Sequence, residues 1–363
     1  MINIKDIRFQ ILATCAVLIM IGLIFIYNTS ATQAIRLEKH ELYFFIKQFI
    51  HVILGFIVLI VAYKIPLEMY RKYVMPIFFI TFILLVVVLF MPGANGAKRW
   101  LHLPFVTFQP SELAKFTVVL YLAHYLDKKH DKMWDFMKGF LPATLLVGIL
   151  ASLIIIEPDF GTTTLIVVVA FTMFIVGGAR ITHILGIVGV VLPVMVAALL
   201  AGEYRKARIT NFIDPWQDPY GMGYQLIQSL TSVGSGGIFG KGIGNSTQKL
   251  FFLPEAHNDF IYAIIAEETG LVGASLLFLV IMFLFRKNLQ AAFMHEDKFK
   301  RLLIFGLSFL IFVQSFVHIF VVIGLLPTKG LTLPFVSYGG SALVVTMFFI
   351  GVILRSIDEV EKA

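Results

Sequence analysis

Ten apolar runs punctuate this sequence, at roughly 10–27, 46–63, 74–91, 112–126, 137–156, 161–177, 183–200, 260–285, 302–324 and 333–354. A helix needs about 17–25 such residues to cross a bilayer. Inside lipid it must also bond its own backbone, which leaves the helix as the available element for isolated apolar runs. Composition agrees: 59% of residues are hydrophobic and 14% charged, with a mean hydropathy of +0.90, whereas a soluble domain carries about 25% charged residues. The expected fold is an all-α polytopic membrane protein of ten transmembrane helices, with residues 1–363 as one integral membrane domain. Helices 7 and 8 would be joined by a large extracytoplasmic loop, 201–259. The fourth run is the weakest, because it is short and opens with Glu112 and Lys115.

The net charge of +7 does not point to nucleic acid, because the basic residues are spread over short inter-helix loops. With both termini inside, 17 of the 29 Lys and Arg fall in cytoplasmic segments. Five of the remainder lie in the one long loop, where the positive-inside rule is weak. Lys5 and Arg8 precede a run longer than a signal-peptide core, which reads as an uncleaved first helix. The single cysteine, Cys15, excludes an internal disulfide and a thiolate metal cluster. The scattered His51, His124 and His318 have no ligand spacing, so no metal is assigned.

With the termini inside, the segments rich in Gly, Pro, Trp and mixed charge all fall outside: 92–111, 157–161, 201–259 and 325–338. Any chemistry belongs on that face. A loop as long as 201–259 is uncommon and is either functional or disordered. Its aromatic, apolar content argues against disorder. Its Gly-rich part, 234–244, reads either as a turn region packed on the membrane or as backbone amides offered to a phosphate. Asp259 stands where the loop meets the eighth run. It reads as a helix N-cap or as a general base at the lipid–water boundary. Glu255 and His257 lie beside it. Glu267 and Glu268 point elsewhere on the same helix, which favours helix–helix pairing. Pro110-Ser-Glu-Leu-Ala-Lys starts a helix with Glu112 and Lys115 on one face, either paired with each other or facing a polar cavity. Arg99 and Trp100 read as interfacial anchors or as part of an anion clamp. Lys329 is the only charge in the last outer loop, and Asp159 caps the Thr-rich helix that follows it.

Several strings in order carry a resemblance over nearly the whole chain: Asn95-Gly-Ala-Lys-Arg-Trp, Phe108-Gln-Pro-Ser-Glu-Leu-Ala-Lys, Pro158-Asp-Phe-Gly-Thr, Asp214-Pro-Trp-Gln-Asp-Pro-Tyr-Gly-Met-Gly-Tyr-Gln, Gly234-Ser-Gly-Gly, Leu253-Pro-Glu-Ala-His-Asn-Asp-Phe-Ile, Glu267-Glu and Leu333-Pro-Phe-Val-Ser-Tyr-Gly-Gly-Ser. The chain resembles the SEDS family of peptidoglycan glycan-strand polymerases. Pro327-Thr-Lys-Gly-Leu and Asp214-Pro-Trp look like its cell-division, FtsW-type branch, with the RodA-type elongation branch as the closer alternative. Departures are few: Glu157 and Phe160 stand where Gln and Leu are commoner, and Asn258 where Thr is usual.

The resemblance implies inverting glycosyl transfer on lipid II at the outer face of the bacterial cytoplasmic membrane, in septal wall synthesis. Asp259 matches the family's essential aspartate and is expected to be the base. Arg99, Lys115 and Lys329 are expected to contact pyrophosphate. Trp100, Glu112, Asp159 and Gln225 would shape the site, and Glu255, His257 and Ser337 complete the expected substrate-binding set. The implied partners are lipid II, a class B penicillin-binding protein and other division proteins. No cofactor is assigned, and a divalent cation (Mg or Mn) is left open. A lipid II flippase is the reading from another class. It would want ionisable groups near mid-membrane, whereas here the charges gather at the outer mouth.

Overall fold

The computed structural model describes residues 4–92, 98–102, 107–200, 212–221, 223–250, 252–328 and 330–362. A helix stands at each of the ten apolar runs: α1 (Ile4–Arg36), α2 (Tyr43–Lys64), α4 (Val74–Val88), α5 (Pro110–Lys128), α6 (Leu141–Ile156), α7 (Phe160–Val176), α8 (Ile181–Leu200), α10 (Ile261–Phe293), α11 (Lys298–Val322) and α12 (Gly340–Glu361). Among the described residues, the α-helices α3 (Leu67–Lys72) and α9 (Tyr224–Ser235) lie between runs. Two short strands, β1 (Leu101–His102) and β2 (Thr107–Phe108), pair antiparallel just before α5. Six helical stretches, those of α1, α2, α6, α10, α11 and α12, are long and apolar enough to cross a membrane. The helices of α4, α7 and α8 hold shorter apolar stretches.

The helix α5 explains its own weak hydropathy. It is buried along most of its length, Lys115 and Glu112 included, and packs against α4, α7 and α11. Its charges therefore meet protein, which is where membrane proteins tolerate ionisable groups. The peripheral helices do the opposite: Phe56, Phe79, Ile83 and Leu276 are all more than half exposed. Apolar surface on this scale is unfavourable in water and natural against lipid.

Charge sorts the bundle into two ends. At one end Arg8 of α1 pairs with Asp358 and with Glu361 of α12. Nearby, Arg71 of α3 bridges Asp127 at 2.5 Å and Asp297 at 3.3 Å, and Lys300 meets Glu359 at 2.8 Å. Because α5 runs from Pro110 to Lys128, about 28 Å at 1.5 Å per residue, its first turn stands at the opposite end. There Gln109 meets Asp159 of the 157–161 turn, and Ser341 donates to the Thr107 carbonyl.

The loop before α10 is ordered by that helix. Gly270 breaks α10 with φ 67°, and Gly240, with φ 79°, lies backbone to backbone against it. A Cβ on Gly240 would stand 2.2 Å from the Glu268 carbonyl oxygen. The Lys241 and Gly242 amides donate to the carbonyls of Glu267 and Glu268, and the Gly244 amide donates to the Glu268 carboxylate. These three amides are taken by α10 and are not offered to a phosphate.

Candidate active site

Asp259 sits in the turn that enters α10. Its amide donates to the Glu255 carbonyl at 3.1 Å, and the helix is capped by Phe260 with no side-chain hydrogen bond. The N-cap reading is thus not what the fold adopts, and the carboxylate is left for other work. It is half-buried. Loss of hydration, with the Glu255 carboxylate adding to it, raises its pKa from 3.8 to about 7, against the opposing pull of Arg99. The Asp159 carboxylate also acts on it in the raising sense.

Asp159 is buried at the N-cap of α7. Its carboxylate accepts from the Thr162 amide at 3.1 Å, the Thr162 hydroxyl at 2.9 Å and Gln109 Nε2 at 3.2 Å. The capping role expected of it holds, and the cap also delivers a fixed negative charge toward Asp259. Arg99, half-exposed, donates from Nε to the Glu157 carbonyl at 3.1 Å and from a terminal nitrogen to the Pro158 carbonyl. Trp100 follows it, exposed, at the edge of the β1–β2 ribbon.

The wall behind Asp259 is the segment 331–338. Ser337 Oγ donates to the Asn258 carbonyl at 2.7 Å and accepts from the Leu333 amide at 2.8 Å. The Tyr338 amide donates to the His257 carbonyl at 3.0 Å. His257 itself is buried between the rings of Phe44 and Tyr338, and burial lowers its pKa to about 4, so it stays neutral. From below, α11 supports the same segment: Gln314 Nε2 donates to the Thr332 carbonyl at 2.9 Å, and a ring nitrogen of His318 lies 2.7 Å from the Leu331 carbonyl oxygen.

Lys115 is fully buried and does not reach out of the bundle. Its Nζ lies 2.7 Å from Glu112 and donates to Gln314 Oε1 at 2.8 Å, so the mutual-pair reading is the one observed. Glu255 is exposed and in the left-handed region, φ 53°. Gln225 is half-buried in the first turn of α9, which packs on α10 and α11. Lys329 lies outside the described residues.

Glu267 and Glu268 depart from expectation in part. Asn28 of α1 does reach Glu268, and Ser232 of α9 reaches Glu267. Most of their bonds, however, go to the loop: Lys241, Ser246 and Thr247 hold Glu267, while Gly244, Ser246 and Lys249 hold Glu268. They are the clamp that fastens the loop. Reading the sequence did not place Gln109, Gln314, His318 or Glu157 in the site. The first lies inside a matching string; the other two helix residues carry no local signal, because their partners are 13 to 199 positions away.

The chain is similar to known proteins in sequence and in fold. A family model described as "Cell cycle protein" (FtsW, RodA, SpoVE) matches residues 9–362. A protein of Geobacter sp. (strain M18), "Probable peptidoglycan glycosyltransferase FtsW", is 40% identical, with 95% of each chain covered. A protein of the same name from Coxiella burnetii is 38% identical over 95% of this chain and 94% of its own. Among solved structures, a chain from "Structural coordination of polymerization and crosslinking by a peptidoglycan synthase complex" superposes with a TM-score of 0.79 at 24% identity, covering 99% of this chain and 98% of its own. The Rod shape determining protein RodA of Thermus thermophilus gives 0.71 at 23% identity, with 96% of each covered. Matches below 25% identity speak to the fold, and the sequence relatives speak to descent. This chain belongs to the cell cycle protein family of FtsW, RodA and SpoVE.

Proposed function

We propose that this protein is a peptidoglycan glycosyltransferase that polymerises lipid II, with Asp259 as its general base. The observation that carries the reading is a carboxylate at the entry to α10 that caps no helix, with its pKa raised to about 7 beside Arg99. A base works best when its pKa lies near the working pH. The acceptor hydroxyl, the 4-OH of N-acetylglucosamine in lipid II, loses its proton to Asp259 and attacks the anomeric carbon of the donor glycan. The bond to the polyprenyl pyrophosphate breaks, and the pyrophosphate leaves with the electron pair. One attack inverts the centre, so one base suffices. Cations serve the leaving group better than a proton does, and Arg99 and Lys329 are assigned that role. Lys115, committed to Glu112 and Gln314, acts on the site through the wall it supports.

The ten helices at the apolar runs are taken as ten spans of one membrane unit, residues 1–363, with 201–259 as its large outer loop. An even number of crossings agrees with α1 and α12 meeting through Arg8, Asp358 and Glu361. The Lys and Arg bias puts that end in the cytoplasm and Asp259 on the outer face of the inner membrane. The FtsW names of the relatives support a place at the division septum. The synthase-complex likeness supports a class B penicillin-binding protein as partner.

Purified wild type and Asp259→Asn, each with a transpeptidase-dead partner, are to be compared for glycan strands made from lipid II. Polymer from the wild type and none from a folded, partner-bound variant is the expected result. Equal polymer from both removes Asp259 from the chemistry. No polymer from either, with intact complexes, refutes the polymerase reading and favours lipid II transport.

A further inference from the structure

Glu157 is the member of this cluster that the reaction leaves unused. It closes α6, is 0% exposed, and neither carboxyl oxygen has a hydrogen-bond partner among the described residues. Asp159, two positions on, is by contrast saturated by Thr162 and Gln109. The turn between them is gripped from outside by Arg99, which donates to the carbonyls of Glu157 and Pro158. The charged groups that face the Glu157 carboxyl are Asp159 and Arg99. Those that face Asp259 are Glu255, Arg99 and Asp159. Among the described residues, Arg99 is therefore the cation acting on both.

With Glu157, Asp159, Asp259 and Glu255 all ionised, four negative charges would oppose Arg99, and its hold on a diphosphate would weaken. A guanidinium has five N–H donors, and the two carbonyls take two of them.

We propose that Glu157 is a positioning residue of this site, acting through Arg99 on a diphosphate-bearing lipid substrate. The inference rests on the polymerase reading above. As the neutral acid, Glu157 leaves the guanidinium resting on two carbonyls with donors to spare. As a carboxylate it becomes a counter-ion that competes with the substrate for Arg99. Burial without a partner favours the neutral form, with Asp159 adding to it, and the pKa is raised from 4.5 to about 8. The sign is opposite to that of Asp259, which must be ionised to act as base. Activity rises as Asp259 ionises through about 7 and falls as Glu157 ionises through about 8.

The test is kcat/KM for strand formation from lipid II between about pH 6 and about pH 10, for wild type, Glu157→Gln and Glu157→Met. We expect the wild type to lose about tenfold per pH unit on the alkaline side, chiefly through KM. In either variant that limb should be lost or displaced upward by more than about one unit, and in an Arg99→Gln background Glu157→Gln should not move it. In an Asp259→Asn background, infrared difference spectra between about pH 7 and about pH 10 should show a protonated carboxyl band that adding Glu157→Gln removes. Coincident alkaline limbs, or the same band persisting when Glu157→Gln is added to Asp259→Asn, overturn the inference. So does loss of activity at neutral pH in both folded variants. A wild type that makes no polymer at any pH refutes the polymerase reading and this inference with it, whereas polymer with coincident limbs refutes the inference alone.

Discussion

Gly330 lies against the carboxylate of Asp259: a Cβ at Gly330 would stand 3.2 Å from Asp259 Oδ2. The spacing is tighter than ordinary van der Waals contact, so a methyl group there must push the carboxylate or shift the loop by a few tenths of an ångström. Gly330→Ala is expected to lower kcat for strand formation by about tenfold, because small misplacements of a reacting group are costly. Melting should change little. An alanine variant with wild-type kcat would show that the carboxylate has room to spare.

Asp259 also has a stability signature. Its folded-state pKa is raised from 3.8 to about 7, so the folded protein holds this proton more tightly than the unfolded chain does. The resulting stabilisation is complete below about pH 3.8 and is lost as pH rises through about 7. Asp259→Asn removes the ionisation and is expected to melt above the wild type at pH 8 while making no polymer. Thermal melts of both proteins across that range would read it, and a variant that melts lower at pH 8 would contradict the assignment.

The clamp made by Glu267 and Glu268 holds the loop rather than the chemistry. Glu267 is 0% exposed and accepts from Lys241, Ser246, Thr247 and Ser232. Glu267→Ala strands the buried Ser232 and Ser246 donors and is expected to cost about 1–3 kcal/mol, with faster proteolysis within 241–250 as the local sign. An unchanged cleavage rate would mean that the loop is held elsewhere.

Lys115 and Glu112 form a buried pair at 2.7 Å. Lys115→Met alone leaves the Glu112 carboxylate uncompensated and is expected to cost about 3 kcal/mol or more. Adding Glu112→Gln should recover most of that stability. If the double variant also polymerises, Lys115 is a support; if it melts normally and makes no strands, the ammonium takes part in the reaction.

How much was legible in advance follows from the range of each interaction. Helices at the ten apolar runs, the Pro110 helix start, the Asp159 cap and the turn at Glu157–Gly161 are local matters of hydropathy, proline geometry and side-chain-to-backbone bonds. They can be read one segment at a time, and the matching strings add family descent. Which groups gather around Asp259 is not local. Asp259 joins Arg99, Asp159 and Gly330 from three separate stretches. The wall at 331–338 is held by Gln314, His318 and the carbonyls of His257 and Asn258. The fate of each polar group was likewise decided by packing. Phe260 took the cap position that Asp259 was a candidate for, and Lys115 turned inward to Glu112 and Gln314. The Gly-rich amides closed on α10. Hydropathy sets which residues enter the membrane region, because transfer free energy is a property of each segment. Only the packed bundle sets what each charge meets there, because desolvation and pairing depend on neighbours far along the chain.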